Sequence, residues 1–300
     1  MMSRKVVSRS HIHLKRFAAA TIVLVLVLVT FSGMSSATSK LSAASFRNFD
    51  DSDGLSNTAV LDIVRDSQGF VWVATQSGLN RFDGYEFKSY LHQEADENSI
   101  GNNHVSALMI AEDEKIWVGT DSGVYIFDSA TDTFEPLGGM AGKPLSKVKA
   151  IFRDSSGSKW IASNSGLYRI DKNGRWSRLF DPFFRQQFYN KGARVISIFE
   201  DRFGTIWLGT NGHGVFYILN EALTYLELGD RGKGLHIRSF AFNEVDKTVI
   251  VSARYSGVFQ FQHPRFGSAS ELDKIDLGIS GSRALLELDD GRILIGTDEG

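Results

Sequence analysis

From Val60 onward the chain alternates short apolar runs with turn-forming residues. One such stretch, VLDIVRDSQGFVWVATQSGLNRFDGYEFKSY (residues 60–90), returns with variations as far as the sequence extends. Aligned on Trp72, the same place is held by Trp117, Trp160, Trp207, Ile250 and Leu294, at spacings of 45, 43, 47, 43 and 44 residues. In the first unit, apolar runs bounded by turn residues predict four short strands: Val60 to Arg65, Phe70 to Thr75, Leu79 to Asp83 and Glu86 to Tyr90. Links this short make consecutive strands antiparallel neighbours. The second strand, VWVAT, is apolar at successive positions, so both of its faces are expected to be buried. Four strands in a repeat of this length predict a β-propeller blade, with one sheet packed between two others.

The columns beside the anchor sharpen the pattern. Six or seven residues past each anchor stands a glycine: Gly78, Gly123, Gly166, Gly214, Gly257 and Gly300. A tight turn with positive φ explains it. Three residues before the anchor a second glycine occurs as Gly69, Gly157, Gly204 and Gly291, while Glu114 and Lys247 replace it elsewhere. That turn is therefore expected to be less demanding. The fold class read from these columns is all-β, a propeller of four-stranded blades with six units visible and the last incomplete, part of a seven-bladed ring. Phe46 to Phe49 resembles the last strand of a unit without a blade of its own, and is expected to complete a blade from the far end of the chain. The sixth unit stops at Gly300 inside a hairpin, so the chain is expected to be the beginning of a longer protein.

Composition adds the compartment. Residues 1–16 carry Arg4, Lys5, Arg9, Lys15 and Arg16 with no acid, Phe17 to Phe31 is an apolar run, and small residues follow. This three-part pattern predicts a signal peptide over residues 1–44, or an N-terminal membrane anchor, with the propeller over residues 45–300. Either way the repeats are expected to be exported. Removing the five leader cations takes the formal charge from -2 to -7, with no basic stripe left, which argues against nucleic acid as a partner. With no cysteine, disulfides and thiolate sites are excluded.

Several motifs together resemble a known family. DGLSNTAV (residues 53–60), DSQGFVWVATQSGLNRFDGYEF (66–87), NSIGNNHV (98–105) and KIWVGTDSGVYIFDSATDTFEPL (115–137) resemble the two-component-regulator propeller repeats of bacterial membrane sensors. The resemblance implies a periplasmic sensor domain at the inner membrane of a Gram-negative bacterium. It also implies further propeller blades and a transmembrane output module in the same chain, a GGDEF diguanylate cyclase or a histidine kinase. The full-length protein is expected to be a dimer, with a small-molecule or oligosaccharide ligand and no cofactor. A secreted propeller enzyme of lyase or glycosidase type, or a protein-binding scaffold, stays open beside it.

Candidate chemistry is sparse. The anchors Trp72, Trp117, Trp160 and Trp207 read as packing between blades rather than a stacking surface. Asp66, Asp154 and Asp201 recur six residues before their anchors and read as turn formers, too far apart around a ring to share a metal. Asp50, Asp51 and Asp53 lack the closing glutamate of a calcium loop. No catalytic or metal-binding set is identified. Connections between units surround the channel mouth of a propeller, and supply the ligand-binding candidates: Asn57, Asn103, His104, Lys147, Arg194, His236 and Arg283. The longest connection adds Phe183, Phe184 and Tyr189.

Overall fold

The protein's structure, a computed structural model, describes residues 47–142, 145–179, 194–226, 234–267, 272–278, 281–288 and 291–297. The predicted leader, Phe46, Gly300 and the aromatic connection lie outside those residues. The chain divides into a unit ending at Asn48 and a second running from Phe49 to Gly300; the second carries all the sheets.

Among the described residues the regular structure is strand, apart from two three-residue 3-10 turns. No helix among them is long and apolar enough to cross a membrane. The strands form five four-stranded antiparallel sheets and one two-stranded sheet, each in plain sequence order. Blade 1 runs Val60–Arg65, Val71–Thr75, Gly78–Phe82 and Phe87–Tyr90, within one residue of the predicted ranges. Blades 2 to 6 open with Val105–Ile110, Val148–Arg153, Val195–Glu200, His236–Asn243 and Ser282–Glu287. These opening strands lie against one another from blade to blade and form the inner wall of the propeller.

Stability resides between blades. Each anchor faces the blade that follows: Trp72 packs with Ile116 and Phe127, Trp117 with Ile161 and Tyr168, Trp160 with Leu208 and Phe216, Trp207 with Phe240 and Phe261. Ile250 does the same with Leu285 of blade 6. Burying one such side chain stabilises by roughly 1.5–3 kcal/mol, so five layers of this kind hold the described blades together. Leu294 occupies the same register in blade 6 but is 44% exposed, beside its cross-strand partner Leu286 at 59%.

The recurring aspartates do more than form turns. In blade 4, Asp201 Oδ1 accepts the backbone N–H groups of Phe203 and Thr205, while Oδ2 accepts the Trp207 indole N–H at 2.8 Å. Asp66 and Asp154 do the same for Trp72 and Trp160, both at 2.8 Å. One carboxylate thus closes the first hairpin and fixes the rotamer of the anchor. Asp201 has a further partner in the next blade, His263 Nε2 at 2.8 Å, with both side chains fully buried. Since the Arg265 N–H donates to His263 Nδ1, the imidazole proton sits on Nε2 and is donated to Asp201.

Two expectations need correction. Glu114 and Lys247, which replace glycine in the first hairpin, adopt φ of 62° and 56°, as left-handed as Gly157 at 83° and Gly204 at 77°. The turn demands the same conformation in every blade, and these two residues bear its strain. Near the start, residues 47–50 form no strand, and Phe49 packs edge-on against Phe82 and Phe87 of blade 1, with ring centroids 5.0 and 5.5 Å away.

Candidate functional site

The connections between blades and the turns between second and third strands meet at one end of the propeller, because both leave the sheets in the same direction. There the backbone is laced from blade to blade. Asp121, in the turn of blade 2, donates its N–H to His104 O and accepts the Lys147 N–H, at 3.3 and 2.9 Å. In blade 4, Asn211 donates to Arg194 O and Gly212 to Leu235 O, both at 3.0 Å. These two turns are thereby pinned to the connections on both sides, and those of blades 1 and 3 to the preceding connection through Gln76 and Asn164, so the channel mouth is a hydrogen-bonded rim.

The predicted residues divide by what their side chains do. Asn57 is a turn former: its Oδ1 accepts the Ala59 N–H at 2.8 Å and its Nδ2 donates to Ser77 Oγ at 3.3 Å. Asn103 clasps its own connection, accepting the His92 N–H at 2.7 Å. Lys147, Arg194, His236 and Arg283 are exposed on the rim, with Lys147 in a left-handed conformation at φ 46°. His104 Nδ1 lies 3.5 Å from Asp121 Oδ1, and Lys149 Nζ lies 3.9 Å from the same oxygen. Phe183, Phe184 and Tyr189 lie outside the described residues. The acids near Asp50 are committed to their own 3-10 turn, where Asp50 accepts the Ser52 N–H and Asp53 accepts the Asp50 N–H. Among the described residues no three His, Asp or Glu side chains cluster for a metal.

A buried polar atom without a partner is costly, so such atoms mark places where something beyond the fold is at stake. Seven atoms without a hydrogen bond occur among the described residues, and four belong to rim residues: Asn164 Oδ1, Arg254 Nε, and His104 Nδ1 with Asp121 Oδ1, which face each other 3.5 Å apart as an ion pair rather than a hydrogen bond. The rim is therefore less self-satisfied than the rest of the fold.

The inner wall carries a second pattern that sequence reading missed. Every opening strand has a register shift near its start, which inserts one extra residue: Leu61, Ser106, Lys149, Ile196, Arg238 and Arg283 in blades 1 to 6. A bulge of this kind re-aims side chains. The residue after it reaches the neighbouring blade: Asp62 Oδ2 accepts the Leu108 N–H at 2.8 Å, Ser197 Oγ donates to Ile237 O at 2.8 Å, and Ser239 Oγ accepts the Leu285 N–H at 3.1 Å. Burial pushes the Asp62 carboxyl up to about 6, against the two N–H bonds it accepts, from Leu108 and Ile63. Small residues two past the anchor allow this closeness. A Cβ on Gly209 would stand 2.7 Å from Ile237 O of the next blade.

Between blades 4 and 6 the inner wall borders a cavity of about 360 Å³, lined by Ile198, Phe199, Phe240 and Leu285 with Arg238 and Glu287 among its polar residues. Desolvation at the wall, and then the neighbouring Arg254 and Arg283 charges, push the Arg238 guanidinium below its ordinary range. The described acids of the inner strands do not form a catalytic pair: Asp62 serves Leu108, and Glu200 accepts both the backbone N–H and the hydroxyl of Ser155. Sequence reading passed over Arg238 and Arg254, although Arg283, at the same bulge position as Arg238, was among its candidates.

Comparison with known proteins follows from this geometry. Residues 54–77 and 191–212 match the family model described as two component regulator propeller. A curated histidine kinase, P4 of Formosa agariphila, is 47% identical over 55 residues, 18% of this chain and 4% of that protein. The extracellular domain of a one-component system of B. thetaiotaomicron superposes with a TM-score of 0.66 at 20% identity, covering 82% of this chain and 32% of that one. Virginiamycin B lyase from Staphylococcus aureus superposes with a TM-score of 0.59 at 12% identity, covering 81% of this chain and 86% of the lyase. The chain thus spans about a third of that one-component-system chain and a small part of the kinase. At these identities the structural likeness carries the fold.

Proposed function

We propose that this chain, which carries two-component-regulator propeller repeats, is the ligand-receiving part of an exported sensor that signals through the membrane. The observation that carries the reading is the rim: a laced, pre-organised mouth with exposed cations and unpartnered polar atoms, without a converging acid pair among the described inner-strand residues. Such a mouth suits binding, since its donors are held in place before a ligand arrives. The outward, exposed faces of Leu286 and Leu294 support further blades packed on blade 6, because every earlier anchor is covered by its successor. The output is a cytoplasmic GGDEF diguanylate cyclase or a histidine kinase, and the localisation is the periplasmic side of a Gram-negative inner membrane. A ligand then acts by its differential affinity for two arrangements of the dimeric receptor.

The test is the coding sequence beyond Gly300 together with the output of the complete protein. A membrane helix followed by a GGDEF or kinase module, with output altered by rim substitutions such as Arg194→Ala, supports the reading. A short chain that cleaves an oligosaccharide or a cyclic peptide would instead establish the secreted enzyme.

A further inference from the structure

The second turn of blade 5, as long as that of blade 4, departs from the repeat in three ways at once: a lost hydroxyl, a bulky left-handed residue and a guanidinium laid over it. In blades 1 to 4 the residue that ends the second strand is a hydroxyl that closes this turn: Thr75, Thr120, Ser163 and Thr210 donate to the carbonyls of Gly78, Gly123, Gly166 and Gly214 at 2.9, 2.9, 3.2 and 2.7 Å. Blade 5 has Ala253 there, paired with Gly257 as Thr75 is with Gly78. Its strand then continues to Arg254, which pairs with His236. The next residue, Tyr255, takes φ of 64° and is exposed, a conformation that bulky side chains avoid. The Arg254 guanidinium lies over the Tyr255 ring, 4.6 Å from its centroid, while Arg254 Nε is buried and has no hydrogen-bond partner among the described residues.

A turn that gives up its closing hydrogen bond and accepts backbone strain needs a return elsewhere. What it delivers is a guanidinium fixed beside two others. Arg238 is the bulge residue of the same blade, two residues along its strand from His236, and Arg283 is the bulge residue of the next blade. In blades 1, 2 and 4 that position holds Leu61, Ser106 and Ile196, and in blade 3 Lys149 is near Asp121. Arg238 and Arg254 are like charges on adjacent strands of one blade and repel, and a shared anion removes that cost. Glu287, the acid on the cavity wall, is four residues beyond Arg283 along its strand, roughly 13 Å at the strand rise.

We propose that Arg238 and Arg254, joined by Arg283 of blade 6, bind the carboxylate or sulfate group of a small anionic ligand at the channel mouth. Guanidinium forks match such planar or trigonal oxygen groups in bidentate fashion. The inference deepens the sensor reading and rests on it for its use in signalling, while the binding itself can be measured without any output module.

The experiment is thermal unfolding and calorimetric titration of the 300-residue chain with sodium sulfate, trigalacturonate and maltotriose, at constant ionic strength set with chloride. The expected result is a saturable rise in Tm with trigalacturonate or sulfate, at a Kd below about 1 mM. Arg238→Gln and Arg254→Gln should each weaken that binding by about ten-fold or more. Arg254→Lys should fall between wild type and Arg254→Gln, and Lys172→Gln at the far end should change nothing. Saturation by sulfate alone assigns the site to a free inorganic anion; saturation by trigalacturonate assigns it to a carboxylate on a larger ligand. No saturable response to either anion, or one unchanged in the folded arginine variants, overturns the proposal. Binding of maltotriose without anion dependence overturns it too, yet leaves the sensor reading standing, whereas anion binding without any effect on the complete protein's output refutes the sensor reading and not the site.

Discussion

Replacing Asp62 with asparagine tests how the inner wall is held. Asp62 accepts the Ile63 and Leu108 N–H groups, both at 2.8 Å, and the second bond ties blade 1 to blade 2. Its pKa rises from an ordinary 3.8 to about 6 because burial disfavours the charge. The folded state therefore holds a proton that the unfolded chain has released, and folding stability falls as pH rises from about 4 to about 6. At about 1.4 kcal/mol per pH unit, that window of about two units costs about 3 kcal/mol, all of it present above pH 6. The asparagine side chain carries no charge but keeps only one acceptor oxygen, and losing one bond costs about 1 kcal/mol. Asp62→Asn should thus raise stability by about 2 kcal/mol at pH values above about 7 and lower it by about 1 kcal/mol near pH 4. Urea unfolding of both proteins across this range, compared at equal m-value, measures the difference. A difference independent of pH, or a variant less stable than wild type above neutral pH, would refute the assignment of buried charge to Asp62.

Two further predictions follow from the turns. Asp201→Ala strands the Trp207 indole and two backbone donors, and leaves His263 Nε2 only its longer contact with Thr205 Oγ1. Each buried orphan costs about 1–3 kcal/mol, so urea unfolding should show a loss of at least about 3 kcal/mol, larger than for Asp66→Ala, whose carboxylate serves no second blade. Glu114→Gly relieves a left-handed residue and should raise stability by about 0.5–1 kcal/mol, the conformational gain exceeding the entropy that glycine loses on folding; a drop in the midpoint of thermal unfolding would show that the Glu114 side chain matters more than its φ.

The repeat was readable because its period, its anchors and its turn glycines each recur at fixed offsets. The Asp-to-indole bond was half visible: Asp stands six residues before three of the four Trp anchors, and before neither Ile250 nor Leu294. Recognising that co-occurrence as a contact needs the hairpin folded, since six residues apart along a turn says nothing of 2.8 Å. Among the residues expected at the mouth, Asn57 and Asn103 hydrogen-bond within the connections themselves, which the sequence does not reveal because those bonds depend on how each loop folds back. Arg238 escaped because only the strand pairing shows that it shares the bulge position of Arg283, and Arg254 because the turn was read for its glycine alone. Glu114 and Lys247 were misjudged for a related reason, as residue type reports what a turn prefers and not what it enforces.

The lacing of the rim decides where this propeller can be cut or lengthened. At the opposite end several hairpins are closed by their own aspartate; Asp171, for instance, accepts the Asn173 and Arg175 N–H groups of its own turn. A fluorescent reporter or a new pair of termini spliced between Lys172 and Asn173 would therefore disturb one hairpin. The same splice at Asp121 would sever links to the connections on either side of blade 2, so a mouth-end insertion would be felt in blades it does not touch. Reporter fusions at the far end should read ligand occupancy without altering it.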